Sequence, residues 1–492
     1  MENALLLILL SFALAVPFVY IIGRKNAKAA AVVIALMALA EIALLSTTIP
    51  TILGAANHRY VESYTWIPIL HSSLTLFVDG VSFSMALTAL LLVFATALFS
   101  LNYMQGKKNL AFYYTLLVIL SIGLVGVFIT SSLLFFYFCW ELMLVPAYFI
   151  IGQWGLKGSY SAAFKFFVFT HAGAVFVLLG IGAIYMVTGT TDMFQAQTTL
   201  MDVGPNIVRW ILLSLTAGFA VKMAVVPVHM WLPDAYTKAP APMSVLLSGV
   251  ITTAGAYAML RVSLGVVLPS VMGSDFSVGF LHALAVLGVI SALFGSLIAT
   301  YQKDMKRILS YSSISHMGYV LFGLSLFPSP VAIVGVVLHL VNHAASKGLL
   351  FFSAGAISKQ VKTRNIIRMG GLAGQMPLTA MCTTTGALSI AGIPPFACFI
   401  SELLILIGAF QTIRSDNFYF VPTALIFIAT VLSLAYVLRY LGHVFFGSRK
   451  FEKVKETSFF MKVAMLVLAV IVVIIFMWPS FFITIISTFR PV

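Results

Sequence analysis

The sequence has few charged residues and almost no cysteine. Charged side chains make up 9% of its 492 residues, against about 25% in soluble domains. With 61% hydrophobic residues, the chain has too little polar surface to cover a water-facing globule. Its three cysteines include no CxxC pair, which argues against a disulfide framework and against an iron–sulfur or zinc cluster. These shortages exclude a soluble enzyme, a secreted disulfide scaffold and a disordered tail.

The sequence also lacks the motifs that bind soluble cofactors. It has no GxGxxG after a strand, no Walker-type GxxxxGK[ST], no HExxH and no large polar insert. We therefore expect no catalytic redox or hydrolytic residue, no metal and no cofactor in this chain. Three classes remain open, which are an ion-translocating subunit driven by other chains, a free-standing transporter and a membrane-embedded transferase.

Long apolar runs dominate what is present. The sequence divides into about fourteen apolar stretches, each near the roughly 20 residues that cross a bilayer. The stretches are 4–23, 29–53, 81–103, 110–130, 131–154, 161–188, 207–232, 242–264, 276–301, 308–324, 329–357, 374–411, 420–446 and 458–487. The predicted fold class is an all-α polytopic membrane protein. The first stretch is interpreted as a span and not as a secretory signal, because its basic residues follow the apolar run.

Basic residues concentrate on one side of this arrangement. When the loops are assigned alternately to two sides, one side receives eighteen lysines and arginines and the other receives five. The smaller set is Arg59, Arg209, Arg261, Arg414 and Arg490. The positive-inside rule then puts the larger set in the cytoplasm and both termini outside the cell membrane. The net charge, 28 Lys+Arg minus 14 Asp+Glu or +14, is therefore a topology signal, and no nucleic-acid partner is expected.

Ionisable residues within the apolar stretches are the most informative feature. Glu141 and Lys222 each stand about midway along a stretch, and Glu41 and Glu402 also lie deep within one. A charge at the bilayer centre costs about 2.5–3.5 kcal/mol, so it normally faces the protein interior and marks an ion pathway. A structural ion pair between packed helices is the alternative. That alternative is favoured for Glu41, which has no evident basic partner in the first stretches.

Prolines interrupt two of the stretches close to these charges. Pro227 follows Lys222 by five residues, and Pro394 and Pro395 precede Glu402. Proline within a span breaks the helix and exposes backbone polar groups next to the charge. Broken helices at corresponding positions of two halves are typical of inverted repeats that hold an ion site. Helices packed without symmetry remain the alternative.

Histidines form a further set. His316 lies in SYSSISHMGYV, and His339, His343 and Lys347 are spaced by four, which places them on one helical face. Such a stripe favours a line of water and hydrogen bonds, because imidazole titrates near neutrality and passes protons. Histidines satisfied by helix packing are the alternative. Metal binding is disfavoured, because no third ligand is evident.

Nine sequence runs carry a resemblance to a known family. They are FVDGVSFSMALTALLL, FCWELMLVPAYFIIGQWG, FAVKMAVVPVHMWLPDA, LLSGV with GAYAMLR, QKDMKRILSYSSISHMGYV, VNHAASKGLLFF, GGLAGQMP, AGIPPFACFISELL and AYVLRYLGHVFFG. With these runs the chain resembles the antiporter-like proton-translocating membrane subunits of respiratory complex I, of the NuoM type, and the related archaeal quinone- or methanophenazine-linked dehydrogenases.

The resemblance implies an organisation of the chain. It implies fourteen helices with two inverted five-helix repeats and broken helices at spans seven and twelve. The implied units are N-terminal helices 1–109, a first repeat 110–264, a second repeat 265–447 and a final helix 448–492. The implied partners are other antiporter-like membrane-arm subunits and a quinone-reactive module with flavin and iron–sulfur hydrophilic subunits. Protons and lipids are the only small partners expected.

The resemblance also implies roles for single residues. Glu141 matches the essential glutamate of span five, Lys222 the pumping lysine of span seven and Glu402 the charged residue of span twelve. His316 and His343 match the central histidines of spans ten and eleven.

One position departs from the pattern of the family. Members of this type usually place a lysine in span eight, where this chain has Thr253. A hydroxyl can hydrogen-bond to water but holds no permanent charge. The relay from Lys222 to Glu402 is therefore expected to use water or His316 at this point.

The mechanism that we expect is electrostatic switching. Desolvation disfavours a charged Lys222, whereas a nearby Glu141 carboxylate favours it. If the two side chains are about 4 Å apart, they interact by roughly 4 kcal/mol at an effective dielectric near 20. Separating them would then favour release of the proton.

Three other functions compete with this interpretation. A subunit of a multi-subunit Na⁺/H⁺ antiporter or membrane-bound hydrogenase is the main alternative, because such chains share the plan of glutamate, lysine and broken helices. A lipid-facing transferase would have only Asp234 as a catalytic candidate, without the partner groups that a site requires. A membrane scaffold has no need for buried charges that cost energy.

Overall fold

The computed structural model describes residues 3–70 and 72–489, and this part of the chain is mostly helical. Arg490, which the sequence assigns to the outer side, lies outside the described residues. The helices are Ala4–Lys25 (α1), Ala27–Ser46 (α2), Ile49–Gly54 (α3), Gly80–Tyr103 (α4), Leu110–Gly126 (α5), Leu133–Leu142 (α6), Leu144–Trp154 (α7), Ser159–Thr188 (α8), Met193–Leu200 (α9), Pro205–Met223 (α10), Leu232–Lys238 (α11), Ala241–Leu246 (α12), Thr252–Ala258 (α13), Asp275–Tyr301 (α14), Met305–Ser325 (α15), Pro330–Val361 (α16), Pro377–Ile390 (α17), Ala397–Ile413 (α18), Phe420–Phe445 (α19), Phe459–Met477 (α20) and Pro479–Ile486 (α21).

Eleven helical segments among the described residues are long and apolar enough to cross a membrane. α5 and α18 are shorter apolar helices of the same kind. The chain is therefore an all-α polytopic membrane protein, as the composition predicts. The number fourteen and the division into two inverted repeats stay predictions.

Both predicted helix breaks are present. α10 ends at Met223 and α11 begins at Leu232, while α17 ends at Ile390 and α18 begins at Ala397. Proline lies in each gap and donates no backbone hydrogen bond, so the α-helical ladder cannot continue through it. Each break leaves polar backbone close to a charged side chain.

The core of the molecule lies around α16. This helix packs against α4, α12, α15, α17, α18 and α20, and most of its side chains are buried. Beside it, α14 and α15 pack along their whole length, and Gly318 permits their close approach. A Cβ atom at Gly318 would lie 2.4 Å from the backbone nitrogen of Ala292. Small residues at such crossings are typical of membrane helices, where packing drives association.

A second buried element runs from α12 to Val271. It contains two π-helical segments, Leu247–Ile251 and Met259–Val267, on either side of α13. The alternating assignment counts Arg261 among the outer-side residues, but Arg261 lies within the helical segment Met259–Val267 and not in a loop. The helical segment continues past Arg261, which is 3% exposed. Its guanidinium lies 2.7 Å from the carboxylate of Asp79, the residue that precedes α4.

One antiparallel hairpin stands at the start of α4. Its strands, Tyr60–Ile67 (β1) and Ser72–Val78 (β2), pair from Tyr60 opposite Val78 onward. The carboxylate of Glu62 in β1 accepts hydrogen bonds from the backbone nitrogens of Leu5 and Leu6 at 2.8 and 3.0 Å. It thereby satisfies free N–H groups in the first turn of α1.

Candidate functional site

Lys222 lies at the end of the first half of the broken helix. It is 2% exposed and occupies the last turn of α10, where the free carbonyls favour a cation. Its Nζ atom lies 4.5 Å from the centroid of the Trp140 ring and donates a 3.5 Å hydrogen bond to the Trp140 carbonyl oxygen. Next to it, Ala224 adopts a left-handed conformation with φ 55° and ends the helix. The break thus holds a buried ammonium group between an aromatic face and a carbonyl.

Glu141 lies one residue beyond Trp140 but does not contact Lys222 directly. In the described part of the chain its carboxylate pairs with His171 of α8, at 3.4 Å from Oε2 to Nδ1. The separation of about 4 Å considered for the mechanism is therefore not met, because α6 turns the carboxylate toward α8. The two charges are joined instead through the Trp140 peptide. The sequence did not predict the contact of His171 with Glu141, because a histidine in an apolar helix gives no indication of the residue that it contacts.

Thr253 lies on the buried element between the two halves. Its Oγ1 donates to the carbonyl oxygens of Gly249 and Val250 at 2.8 and 3.1 Å. The neighbouring Ser248 hydroxyl lies 3.2 Å from that of Ser313 on α15. Hydroxyl groups therefore continue from the π-helical segment toward the helix that carries His316, and π-helical segments are frequent at functional sites. Ser248 and Ser313 are positions that the sequence did not single out.

The predicted histidines meet in the second half. The Nδ1 atom of His316 lies 3.2 Å from Nε2 of His339, and Nδ1 of His339 lies 3.0 Å from the Ser401 hydroxyl on α18. All three residues have no solvent exposure. This line crosses from α15 through α16 to α18 and ends one residue before Glu402.

His343 and Lys347 continue the stripe along α16. Lys347 is fully buried, and its Nζ donates to the Leu309 carbonyl oxygen at 3.0 Å. The His343 ring centroid is 5.7 Å from that of His316. Among the described residues, neither ring nitrogen of His343 has a hydrogen-bond partner. A buried polar group of this kind calls for a partner outside the protein chain, such as an internal water molecule.

Glu402 lies directly against the second helix break. Its carboxylate is in the first part of α18, and the residue is 7% exposed. A Cβ atom at Gly392 would lie 2.3 Å from Glu402 Oε2, and Gly392 has φ +66°. Only glycine allows the backbone at Pro394 and Pro395 to pass this close to the carboxylate.

The same region could hold a metal ion, which the sequence did not predict. One ligand atom each from His316, His339 and Glu402 lies within 4.8 Å of the others. Two of these atoms already face each other in the His316–His339 contact at 3.2 Å. A metal ion would have to displace that contact. The structure therefore favours a hydrogen-bonded pair of histidines over a metal site.

The remaining candidates have local partners. Glu41 is contacted by the Ser11 hydroxyl of α1, in line with a structural role. Asp234 pairs with Lys165 at 2.9 Å and lies 3.8 Å from Arg307. An aspartate neutralised by two cations is a poor general base, which weighs against a transferase site here.

Comparison with known proteins decides the family. The family described as "NADH:quinone oxidoreductase/Mrp antiporter, TM" matches residues 130–433. The chain belongs to this family. The matched range contains Glu141, Lys222, the histidine line and Glu402, together with both helix breaks.

Curated relatives agree over most of the chain. NAD(P)H-quinone oxidoreductase chain 4 2 of Microcystis aeruginosa is 34% identical over 397 residues, which cover 80% of this chain and 70% of the relative. The chloroplastic NAD(P)H-quinone oxidoreductase chain 4 of Chlorokybus atmophyticus is 34% identical over 396 residues, 80% of this chain and 75% of the relative. The resemblance seen in the motifs is confirmed.

Solved structures share the fold. A chain of the Mrp complex from Dietzia sp. DQ12-45-1b superposes with a TM-score of 0.85 at 22% identity, covering 99% of this chain and 97% of that one. A chain of the archaeal membrane-bound sulfane sulfur reductase gives 0.86 at 23% identity, with 99% and 97% covered. A chain of respiratory complex I from Thermus thermophilus gives 0.85 at 23% identity, with 98% of each covered.

Proposed function

We propose that this chain is a proton-translocating membrane-arm subunit of a complex I-like oxidoreductase. The observation that carries the proposal is the fully buried line from His316 through His339 to Ser401, which ends beside Glu402. Ionisable groups are costly to bury inside a membrane domain, and where they occur together they usually mark an ion or proton pathway. The names of the relatives, NAD(P)H-quinone oxidoreductase chain 4, support the type of complex.

We also propose which subunits surround the chain and where it is located. Other antiporter-like subunits and a quinone-reactive module with flavin and iron–sulfur subunits would surround it in the cell membrane, with both termini outside. Those partners would perform the electron transfer. This chain would hold no cofactor and would act as the non-redox translocase.

The path that we propose runs along the two helix breaks. Glu141 would control the charge on Lys222 through their field, since the Trp140 peptide separates the two side chains. A negative Glu141 stabilises the ammonium form of Lys222, and neutralising Glu141 favours release of its proton. The position of Thr253, with hydroxyls and internal water, would pass that proton toward His316 and the second half.

In the second half the roles follow from the contacts. Lys347 and His343 would pass charge along α16, and His339 would connect them to Glu402 near the second break. Moving one charge against 100 mV costs about 2.3 kcal/mol. The redox partner would supply this work by changing the charge near Glu141.

Variants at the first charged pair test the proposal. We expect the complex with Glu141→Gln or Lys222→Ala to retain electron transfer and lose most coupled pumping, because each change removes a proton-linked charge. Quinone-dependent electron transfer and proton uptake are measured on the same reconstituted vesicles. Lys157→Gln, an exposed lysine, is the control and should pump normally. Full pumping in both test variants would rule the proposal out.

A sodium-linked antiporter subunit is the second candidate. The matched family includes the Mrp antiporter, and the Dietzia Mrp chain shares the fold. Sodium needs several oxygen ligands, whereas the buried groups here include three neighbouring imidazoles. Purification of the tagged complex separates the two candidates. Redox-active hydrophilic partners support the first, and an assembly of membrane chains without a redox spectrum supports the second.

A further inference from the structure

A basic hollow lies away from the proposed proton path, where α4 and α7 end, α15 begins and α16 ends. It has a volume of about 1080 Å³ free of protein atoms, part of which is open to solvent. Five of its twelve lining residues are cationic and none is acidic. The five are Lys107, Lys306, Lys359, Lys362 and Arg364. The proposed function uses none of them.

Lys306 forms the buried wall of this hollow. It is 2% exposed, and its Nζ donates to the Ala239 carbonyl oxygen at 2.7 Å and to the Ser244 hydroxyl at 3.0 Å. Both partners are neutral, and no carboxylate of the described residues pairs with it. An ammonium group has three donors, and buried charges normally have a counter-charge. An anion in the hollow would supply that counter-charge.

The other cations are also largely without acidic partners. Arg364 pairs with Asp304 at 2.9 Å and is neutralised. Among the described residues, Lys359 donates only to the main-chain carbonyl oxygens of Asn102 and Tyr103. Lys107 and Lys362 are exposed, and within residues 3–70 and 72–489 neither forms an ion pair. Four lysine side chains therefore line one space and, among the described residues, have no carboxylate partner.

We propose that this hollow binds a phosphate group, carried by an anionic phospholipid or free in solution. Lysine side chains bind phosphate as point charges, and basic pockets among membrane helices bind anionic lipid headgroups. Tyr103 and Trp154 also line the hollow, and these residue types are enriched at the headgroup level of a bilayer. The bound phosphate would connect the first turn of α15 to the last turn of α16, the two helices that carry the histidine line.

The test uses the purified full chain in a neutral detergent. Short-chain phosphatidylglycerol, short-chain phosphatidylcholine and inorganic phosphate are titrated separately, and the Kd is taken from the rise in Tm. The test variant is Lys107→Gln with Lys362→Gln, because both side chains are exposed and neither supports the fold by an ion pair. Lys362 has φ 57° in this structure, and glutamine is strained there no more than lysine. The control is Lys157→Gln with Lys453→Gln, which removes two exposed charges outside the hollow.

We expect phosphatidylglycerol or inorganic phosphate to bind the wild type and the control alike. The test variant should bind at least about tenfold more weakly, since each lost charge-assisted hydrogen bond costs about that much. Binding of phosphatidylglycerol alone identifies a lipid headgroup, and equal binding of inorganic phosphate identifies a free anion. Unchanged affinity in the test variant, an equal loss in the control, or no rise in Tm with either anion overturns the proposal.

Discussion

At the scale of single residues, Glu141 and His171 form the contact that changes the expected mechanism. The Glu141 side chain is 24% exposed and that of His171 is 48% exposed, so the pair lies at the edge of the protein and not in its core. A charge change outside this chain can therefore reach Glu141 before it reaches Lys222. We expect the pair to be the entry point for coupling to a neighbouring subunit.

His171→Gln tests this entry point. Glutamine keeps a hydrogen-bonding group but cannot carry a charge, so we expect pumping to fall about two- to fivefold, the rate equivalent of a partly exposed pair worth up to about 1 kcal/mol. Proton uptake per electron transferred is the measurement. His282→Gln is the control, because His282 also pairs with a partly exposed carboxylate, that of Asp416 at 2.6 Å, and lies far along the chain from Glu141. Equal loss in both variants would contradict a special role for His171.

Some of the candidate site residues can be predicted from the sequence and others cannot. Lys222, His316 and Glu402 could be predicted, because an ionisable group in an apolar run is costly and therefore conspicuous. The Trp140 carbonyl and His171 could not, since a main-chain oxygen has no sequence signal and the second contact depends on how α6 packs against α8. The buried position of Lys222 could thus be predicted from the sequence, whereas its contact with the Trp140 carbonyl oxygen could not.

At the scale of elements, the second helix break depends on a glycine as much as on its prolines. The prolines predict that α17 must end, and they locate the gap of residues 391–396. The position of Glu402 against Gly392 could not be predicted, because it depends on how α18 turns back past the gap. The backbone at Gly392 is left-handed, and the carboxylate occupies the place of a side chain.

Gly392→Ala should therefore damage the second half. We expect a loss of about 1–2 kcal/mol from the left-handed backbone alone, with a lower Tm and reduced pumping because the new methyl group displaces Glu402. Thermal unfolding and proton uptake of the same preparation are measured. Gly442→Ala in α19 is the control, because a Cβ there meets no atom within 4 Å. It should keep or raise the Tm, since alanine favours a helix. Normal pumping by Gly392→Ala would mean that Glu402 tolerates displacement.

At the scale of the whole molecule, one buried ion pair connects distant parts of the chain. Asp79 caps α4 through the backbone nitrogen of Ser82 at 2.9 Å and also pairs with Arg261, 182 residues later. The Arg261 guanidinium lies 4.9 Å from the centroid of the Phe489 ring near the C-terminal end. The sequence contains both charges, but their pairing depends on the complete helix packing and could not be predicted.

Arg261→Met should cost about 3–5 kcal/mol, because it leaves the buried Asp79 carboxylate without its counter-charge. The measurement is thermal unfolding of the purified chain. Combining Arg261→Met with Asp79→Asn should recover part of the loss, since the unpaired charge is then gone. Arg307→Gln is the control, because its pair with Asp234 is exposed and such pairs contribute at most about 1 kcal/mol. A loss for Arg261→Met no larger than that for Arg307→Gln would show that the pair is not buried in the protein.

The orientation of the chain in the membrane can be tested by cysteine labelling. Cys139, Cys382 and Cys398 are all buried, so a cysteine introduced at the surface will dominate labelling in intact cells. Lys453 and Asp202 are exposed and lie in loops that the positive-inside rule assigns to opposite sides. A membrane-impermeant maleimide should label Asp202→Cys in intact cells and Lys453→Cys only after the membrane is opened. The reverse pattern would place the basic loops outside. Labelling of both in intact cells would mean that an even number of crossings separates the two loops, whereas the assignment puts an odd number between them. Because each crossing inverts the side of everything that follows, the two labelled positions test whether the number of crossings between them is odd, as the assignment requires.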